Sequence, residues 1–352
     1  MQSVIIGKNQ AGQRLDKFLH KYLPLAGNGF LYKMLRKKNI TLNGKKEEGR
    51  EILALRDEVC FYFSQETFSR FSGRAPENGE QEIPESMPEV SERTCGNTGE
   101  YERAFHTLKE IAVLYEDEDC LILNKPSGIL SQKASLEDLS LNEWLIGYLL
   151  EQNPALAGEL STFRPSVCNR LDRNTSGIVL CGKSLRGLQY LSQGIRERSI
   201  RKFYRTICAG AVRESGEIKG YLVKDEARNR VSVSGIPGES RSGEKICTIH
   251  TAYSPLSVTE DFTLLEVELI TGKSHQIRAQ LADLGHPLIG DRKYGRESVN
   301  LFFRKNHGLR AQLLHSCRVM FPENGNPDAL SGRSITAPCP ALFQRLEKEL
   351  FS

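Results

Sequence analysis

The segment Asn169 to Gly177, NRLDRNTSG, sets one carboxylate, Asp172, between two guanidinium side chains, Arg170 and Arg173. Asn174, Thr175, Ser176 and Gly177 follow, and then an apolar run, Ile178 to Leu180. A polar turn that feeds a buried strand can hold one side chain rigidly at the strand's mouth, where loops carry function. A carboxylate held there can attack an electron-poor carbon and leave again. The same spacing also fits a solvated turn whose Arg-Asp-Arg triplet neutralises itself, an exposed arrangement that contributes only about 0 to 1 kcal/mol. On spacing alone the two readings stand level.

Two other stretches carry candidate chemistry. In TGKSHQIR, Thr271 to Arg278, Ser274 is placed to cap a helix in which Ile277, Leu281 and Leu284 face the core and Gly285 and Pro287 end the run. His275 and Arg278 then share the opposite face, which is otherwise an ordinary polar helix surface. His275, His286 and Asp291 are not read as a metal site, because no pair has the i, i+4 spacing of a helical His-His ligand set. In IRKFYRTICA, Ile200 to Ala209, the pattern alternates as a strand, and a lone Tyr204 there reads by itself as a core residue.

The elements that must position these groups are legible in outline. Leu15, Phe18, Leu19 and Tyr22 recur at helical spacing within residues 11 to 24 and stop at Pro24, residues 29 to 38 form a shorter helix, and Asn43-Gly44 makes a hairpin turn. An apolar strand is expected over Glu58 to Phe63. Between Lys33 and Lys46 stand six cations, Lys33, Arg36, Lys37, Lys38, Lys45 and Lys46, and no acid. Such a cluster is either solvated surface or the footprint of a phosphate-backbone contact. Ile111 to Asn124 gives two short strands ending at Lys125-Pro126-Ser127-Gly128, with Lys125 read as a brace for the Asp172 loop in preference to an RNA contact. Ser140 to Glu143 is a capping box that opens a helix whose Trp144 and Tyr148 read as core. Helix over Ser184 to about Arg198, a β meander with surface insertions over 211 to 260 and a strand over Phe262 to Ile270 complete the pattern.

Charge divides the chain. Residues 1–63 hold twelve Lys or Arg against six Asp or Glu, whereas residues 72–102 hold two against eight, so a formal net charge of +4 conceals a basic head and an acidic tether. Residues 64 to 104 are too polar to offset chain entropy by burial and read as a flexible linker. No window reaches the about 18 uninterrupted apolar residues of a membrane span, and the first residues lack the pattern of a secretory signal. Nine scattered cysteines, without CxxC pairs or zinc-finger spacing, point to free thiols in a reducing cytoplasm.

The Asp172 segment resembles the HRLDxxTSG signature of the RluA-type pseudouridine synthases, with Asp172 on the nucleophilic Asp and Asn169 in place of the usual His. That family does not depend on the His for its chemistry, so the departure bears on local hydrogen bonding. KPSG, Lys125 to Gly128, is similar to the family's KPxG, Tyr204 falls on the Tyr of KxYxA, and TGKSHQIR matches TGRxHQIR, whose Arg pairs with the nucleophile. The similarity runs on through LGHPLIGDRKYG, so it covers about residues 108 to 321. The first sixty or so residues resemble a small αL-type RNA-binding module.

The resemblance implies an α+β chain: an αL-type module over 1–63, an acidic flexible linker over 64–105, and a catalytic domain over 106–352 built on a mixed, mostly antiparallel sheet with flanking helices. It implies isomerisation of uridine to pseudouridine in RNA, in which N1 is cut from C1′, the uracil turns, and C5 is joined to C1′. Asp172 would be the nucleophile, working as a carboxylate with Arg278 as its paired countercharge. The nucleotide must be flipped out at a cost of a few kcal/mol; Arg170 would stack in the vacated space, and Tyr204 would lie against the uracil and serve in proton transfer. Arg14, Lys33, Arg36, Lys37, Lys38 and Lys45 form the expected RNA contact face. No cofactor and no metal are expected, and neither DNA nor a membrane is expected as a partner. The expected enzyme is a cytoplasmic monomer acting on large-subunit ribosomal RNA. A transfer RNA enzyme of the same chemistry and a catalytically silent ribosome-assembly factor are the alternatives, while an N-glycosidase lacks the second carboxylate that hydrolysis calls for.

Overall fold

The computed structural model describes residues 2–72, 98–225, 230–234, 246–323 and 328–352. The chain divides into two compact units, one of residues 1–107, 143–166 and 182–188, the other of residues 108–142, 167–181 and 189–352.

In the first unit β1 (Gln2–Ile5) and β2 (Ile40–Leu42) flank β3 (Glu58–Phe61) in an antiparallel sheet. Helices α1 (Leu15–Tyr22) and α2 (Asn28–Arg36) belong to the same unit. The i, i+3, i+4 spacing buries Leu15, Phe18 and Leu19 completely, and Tyr22 stacks on Phe18 and Phe61 at 5.3 and 5.5 Å. Asn43 and Gly44 both take positive φ, 52° and 73°, as a two-residue type I′ turn requires, and Leu42 and Lys45 exchange backbone hydrogen bonds across it.

The expected linker begins and ends in helix. Gln65–Ser72 forms α3 and Thr98–Thr107 forms α4; residues 73–97 lie outside the described residues. The reading of 64–105 as wholly flexible therefore fails at both ends, and the reason is local apolar content. Phe68 of α3 joins the core formed by Leu15, Phe18, Leu19 and Phe61, and Tyr101 of α4 packs with Ile146, Leu150 and Leu160 beside α5 (Leu141–Gln152). Gly147 is where α5 meets α4, since a Cβ there would stand 2.2 Å from the Tyr101 carbonyl oxygen. Trp144 and Tyr148 stack at 5.1 Å, with Phe105 against them, and serve as core.

The second unit is built on one sheet. After β4 (Ala112–Glu116), β5 (Cys120–Lys125) and the short β6 (Ser166–Val167), the Asp172 loop enters β7 (Ser176–Gly182), which α6 (Leu185–Glu197) follows. Then come β8 (Arg201–Ala209), β9 (Gly216–Asp225), β10 (Arg230–Ser234), β11 (Ile246–Val258) and β12 (Phe262–Leu269). Helices α7 (Gln276–Asp283) and α8 (Glu297–His307), strands β13 (Leu314–Met320) and β14 (Ser334–Thr336), and α9 (Ala341–Phe351) close the chain. The order is β10-β9-β11-β12-β8-β13-β7-β5-β4, with β14 beside β13, and the only parallel pairing among the described strands with printed registers is β13 with β7. The sheet is thus mixed and mostly antiparallel. Leu191 and Ile195 of α6 pack on Ile178 and Leu180 of β7, while Phe343 and Leu346 of α9 pack on Ile207 and Leu264.

Two residues make the β7–β13 seam possible. Gly177, at φ 112°, leaves room that a Cβ would fill at 2.2 Å from the Ser316 carbonyl oxygen. His315, fully buried, takes a hydrogen bond from Ser176 Oγ at Nδ1, 2.9 Å, while Nε2–H donates to the Ala337 carbonyl, 3.2 Å; these roles define the neutral Nε2–H tautomer. Burial holds the imidazole down at about 4, from an ordinary 6.5. Between those two values the unfolded chain is protonated and the folded one is not, so this group's stabilisation is intact above pH 6.5 and is lost as pH falls through 4. Unfolding free energy measured from pH 7 down to pH 4 is expected to fall by up to about 3 kcal/mol from this group, and His315→Gln should flatten that part of the profile.

Candidate active site

Asp172 sits in a loop clasped from one side by the segment after β5. Ser131 Oγ donates to the Leu171 carbonyl and accepts from the Leu171 N–H, each at 3.0 Å, so one side chain stands in for a strand pairing just before Asp172. On the other side of Asp172, Ser127 Oγ donates to the Asn174 carbonyl at 2.9 Å and Gly128 N–H to the Arg173 carbonyl at 2.8 Å. Lys125 is completely buried, and its ammonium donates to the carbonyls of Pro126, Ile129 and Arg173 at 3.0, 2.8 and 3.1 Å. It braces the loop, as read from the sequence. Burial brings Lys125 down to about 7, with the charge of Asp172 opposing the shift.

The departure from the family signature at Asn169 has a local explanation. Its amide donates to the Ile178 carbonyl at 3.3 Å and accepts from the Leu180 N–H at 2.7 Å, tying the start of the loop to β7.

Arg278 approaches Asp172 from α7. Its Nη1 donates to Asp172 Oδ2 at 2.7 Å, while Nε and Nη2 form a fork on Asp291, at 2.7 Å to Oδ2 and 2.9 Å to Oδ1. Asp291 is wholly buried and Arg278 nearly so, whereas the Asp172 side chain is 26% exposed, so within this chain of charges it is the end open to solvent. Burial works against the Asp291 anion, but Arg278 and the N–H groups of Lys293 and Tyr294 outweigh it and hold the carboxyl below its usual range. Burial likewise opposes the Arg278 cation, and its two carboxylate partners more than offset this.

The sequence reading of this helix needs correction at both ends. Ser274 is not its cap: His275 precedes the first helical residue with φ 57°, and no side chain caps the end. Gln276 instead accepts from the Lys273 N–H and Thr271 Oγ1 and donates to Thr251 Oγ1 and the His250 carbonyl, which fixes the entry to the helix. Leu284 is exposed: it is the first residue after the helix, which ends at Asp283. Arg278 is buried where a polar surface was the plain alternative.

Asp172, Arg278, Tyr204 and Arg170 line one cleft, with Leu171, Thr175, Leu269, Lys273, His275 and Leu314 among its other walls. Tyr204 forms a buried wall, and burial pushes its phenol well above the ordinary value, so it is a neutral phenol at physiological pH. Arg170 is exposed at the rim. Two residues beyond the expected set belong to the site. Asp291 is the anchor of Arg278; its place in LIGDRKYG was its only signal. His275 puts Nε2 3.8 Å from Asp172 Oδ2 and shares a hydrogen bond between Nδ1 and Tyr294 Oη at 3.0 Å. Among the described residues no group of three His, Cys, Asp or Glu side chains could hold a metal ion.

The six expected RNA-contact residues lie in the first unit. Lys33, Arg36, Lys37, Lys38 and Lys45 are exposed on α2, the turn after it and the 42–45 hairpin. Arg14 differs, because its Nε and Nη2 are held by Asp16 at 3.1 and 2.6 Å.

The mixed sheet with its flanking helices is the fold of a solved pseudouridylate synthase domain. The family model described as RNA pseudouridylate synthase matches residues 119–283, which include Asp172, Tyr204 and Arg278. Over those residues the chain is similar to this family, and its full-length relatives carry the name of RNA pseudouridine synthases, which are isomerases. It is 28% identical to the ribosomal large subunit pseudouridine synthase C of Vibrio vulnificus over 99% of this chain and 95% of that one. It is 27% identical to an uncharacterised RNA pseudouridine synthase of Mycoplasma genitalium over 91% and 88% of the two chains. Among solved structures, the human RNA pseudouridylate synthase domain-containing protein 4 shares the fold, with a TM-score of 0.52 and 20% identity over 72% of this chain and 96% of that one.

Replacing Asp291 tests the anchor. Asp291→Asn keeps the shape and removes one charge from the buried pair; breaking such a pair is expected to cost about 3 to 5 kcal/mol of stability, measured by denaturant unfolding.

Proposed function

We propose that this enzyme converts uridine to pseudouridine in large-subunit ribosomal RNA, with Asp172 as the nucleophile acting on a flipped-out nucleotide. The observation that carries the reading is the chain Asp291–Arg278–Asp172, which anchors a guanidinium at two points and aims its third contact at the one carboxylate that opens into the cleft. The ribosomal substrate is supported by relatives from three Vibrio species called ribosomal large subunit pseudouridine synthase C, similar along nearly the full chain.

In the proposed reaction an Asp172 oxygen bonds to C1′ as the C1′–N1 bond breaks and N1 takes the electron pair. The sugar is then held as an ester while the detached uracil turns within the cleft. C5 attacks C1′, the ester bond breaks and restores the carboxylate, C5 loses its proton, and N1 gains one. Neutral Tyr204 supplies a flat wall and a hydroxyl for the turning base. Arg170, exposed at the rim, is long enough to stack where the flipped base was. The domain boundaries at residues 63 and 105 mark functional parts in this reading: an αL-type module with Lys33, Arg36, Lys37, Lys38 and Lys45 on phosphates, and a catalytic part carrying the cleft. Arg14, paired with Asp16, acts there as a structural residue.

Two measurements check this. On protein-free large-subunit ribosomal RNA without added metal, Asp172→Asn should bind as tightly as wild type and form no pseudouridine. Arg278→Lys, which cannot make the fork and the third contact together, should lower kcat by at least about tenfold, roughly the equivalent of 1.4 kcal/mol, with RNA affinity unchanged; an equally active Arg278→Lys enzyme would remove the role given to the guanidinium. Separately, replacing Lys33, Lys37 and Lys38 by Gln should weaken RNA binding at all sequences and make its salt dependence shallower by about 2, at about 0.7 per single-strand contact.

A further inference from the structure

Beside the catalytic cleft, in the same unit, lies a second cleft of about 400 Å³ lined by Arg198, Lys219, Tyr221, His250 and Thr271. The two are separated by the short crossing that carries Thr271, Gly272 and Lys273: Thr271 lines the second cleft, while Leu269 and Lys273 line the first. Lys202 stands under that crossing. It lies two residues before Tyr204 on β8, so strand alternation turns both side chains to the same face of the sheet, and its ammonium is 3.8 Å from where a Cβ would be on Gly272.

Among the described residues, two of the three cations at this place have no carboxylate partner. Lys202 is only 6% exposed, and burial and Arg198, with no carboxylate among them, are the influences on its charge. Burial lowers the Lys202 pKa, and the charge of Arg198 lowers it further, so the two cations are close enough to repel. The carboxylate of Glu217 is directed at Lys219 and His250, each at 3.0 Å. Arg198 also has a backbone cost: it takes φ 63° directly after the last residue of α6, a position where glycine is the relaxed choice. An arginine in strained backbone beside a buried lysine is the arrangement expected where an anion completes the site.

We infer that this second cleft is a phosphate-binding groove for the RNA strand next to the flipped uridine, with Arg198 and Lys219 as the cations of its wall, Lys202 buried beneath Gly272 at its edge, and the Thr271–Lys273 crossing as the step between it and the catalytic cleft. The inference rests on RNA being the substrate. It assigns the groove to backbone phosphates, which fix register and carry no base specificity. Exposed Gly272 gives a phosphate close access to the Lys202 ammonium, which no side chain at that position covers.

The test uses full-length protein and protein-free large-subunit ribosomal RNA. Arg198→Gly removes the charge and relaxes the backbone, so the variant should unfold at a temperature no lower than wild type; Lys219→Gln removes the second exposed cation. The double variant is expected to bind several-fold more weakly at fixed salt, with the slope of log affinity against log salt reduced by about 1.4, for two contacts at about 0.7 each. Turnover at saturating RNA should be unchanged, so the loss appears in KM. Unchanged affinity and slope in a folded double variant would overturn the groove, whatever the catalytic result. Failure of wild type to form any pseudouridine would count against the proposed substrate, and binding alone would still decide the groove.

Discussion

The site depends on one guanidinium having two jobs. Arg278 is fixed by a buried fork on Asp291 and reaches outward with its remaining donor to Asp172. A single arginine-carboxylate pair at the edge of a cleft would be free to rotate and would be screened by water. Adding a second, wholly buried carboxylate removes that freedom. The cost of burying such charges is high and is recovered only when the geometry is good and every donor is used. Here Nε, Nη1 and Nη2 all have partners, and the backbone N–H groups of Lys293 and Tyr294 complete Asp291.

Much of the second unit can be understood as support for that geometry. Arg278 is carried by a short helix whose entry is fixed by Gln276, and Asp172 by a loop held at Leu171, Arg173 and Asn174 through Ser131, Lys125 and Ser127. The parallel β7–β13 seam, possible only because Gly177 has no side chain, sets the loop one strand from β8, where it shares a cleft with Tyr204. Lys125, read from the sequence as a brace, is a structural cation, while Asp291, weighed there only in a rejected metal reading, sets the position of the arginine that meets Asp172.

The sequence made some of this legible and hid the rest for physical reasons. Strands and helices with clear periodicity, such as Arg201–Ala209 and Leu15–Tyr22, could be placed to within a few residues because burial on one face leaves a pattern. The identities of Asp172, Tyr204 and Arg278 came from resemblance to family motifs; nothing in their spacing brings them together, since that requires a sheet order known only from the fold. The helices at 65–72 and 98–107 were hidden in a polar stretch because each rests on two aromatic residues, Phe68 and Phe71 in the first and Tyr101 and Phe105 in the second, that composition averages away. Ser274 was a plausible cap, and it was displaced by a left-handed His275 and a glutamine whose hydrogen bonds are to distant strands, a tertiary effect with no local signal.

The central claim is that the carboxylate at position 172 is what makes this protein act on RNA. The most direct test is to map pseudouridines across all stable RNAs in cells that lack the gene, and again after restoring either the wild-type gene or the Asp172→Asn form. One or more sites in large-subunit ribosomal RNA should disappear, return with wild type and stay absent with Asp172→Asn. An unchanged map in the deletion, or full restoration by Asp172→Asn, would contradict the account.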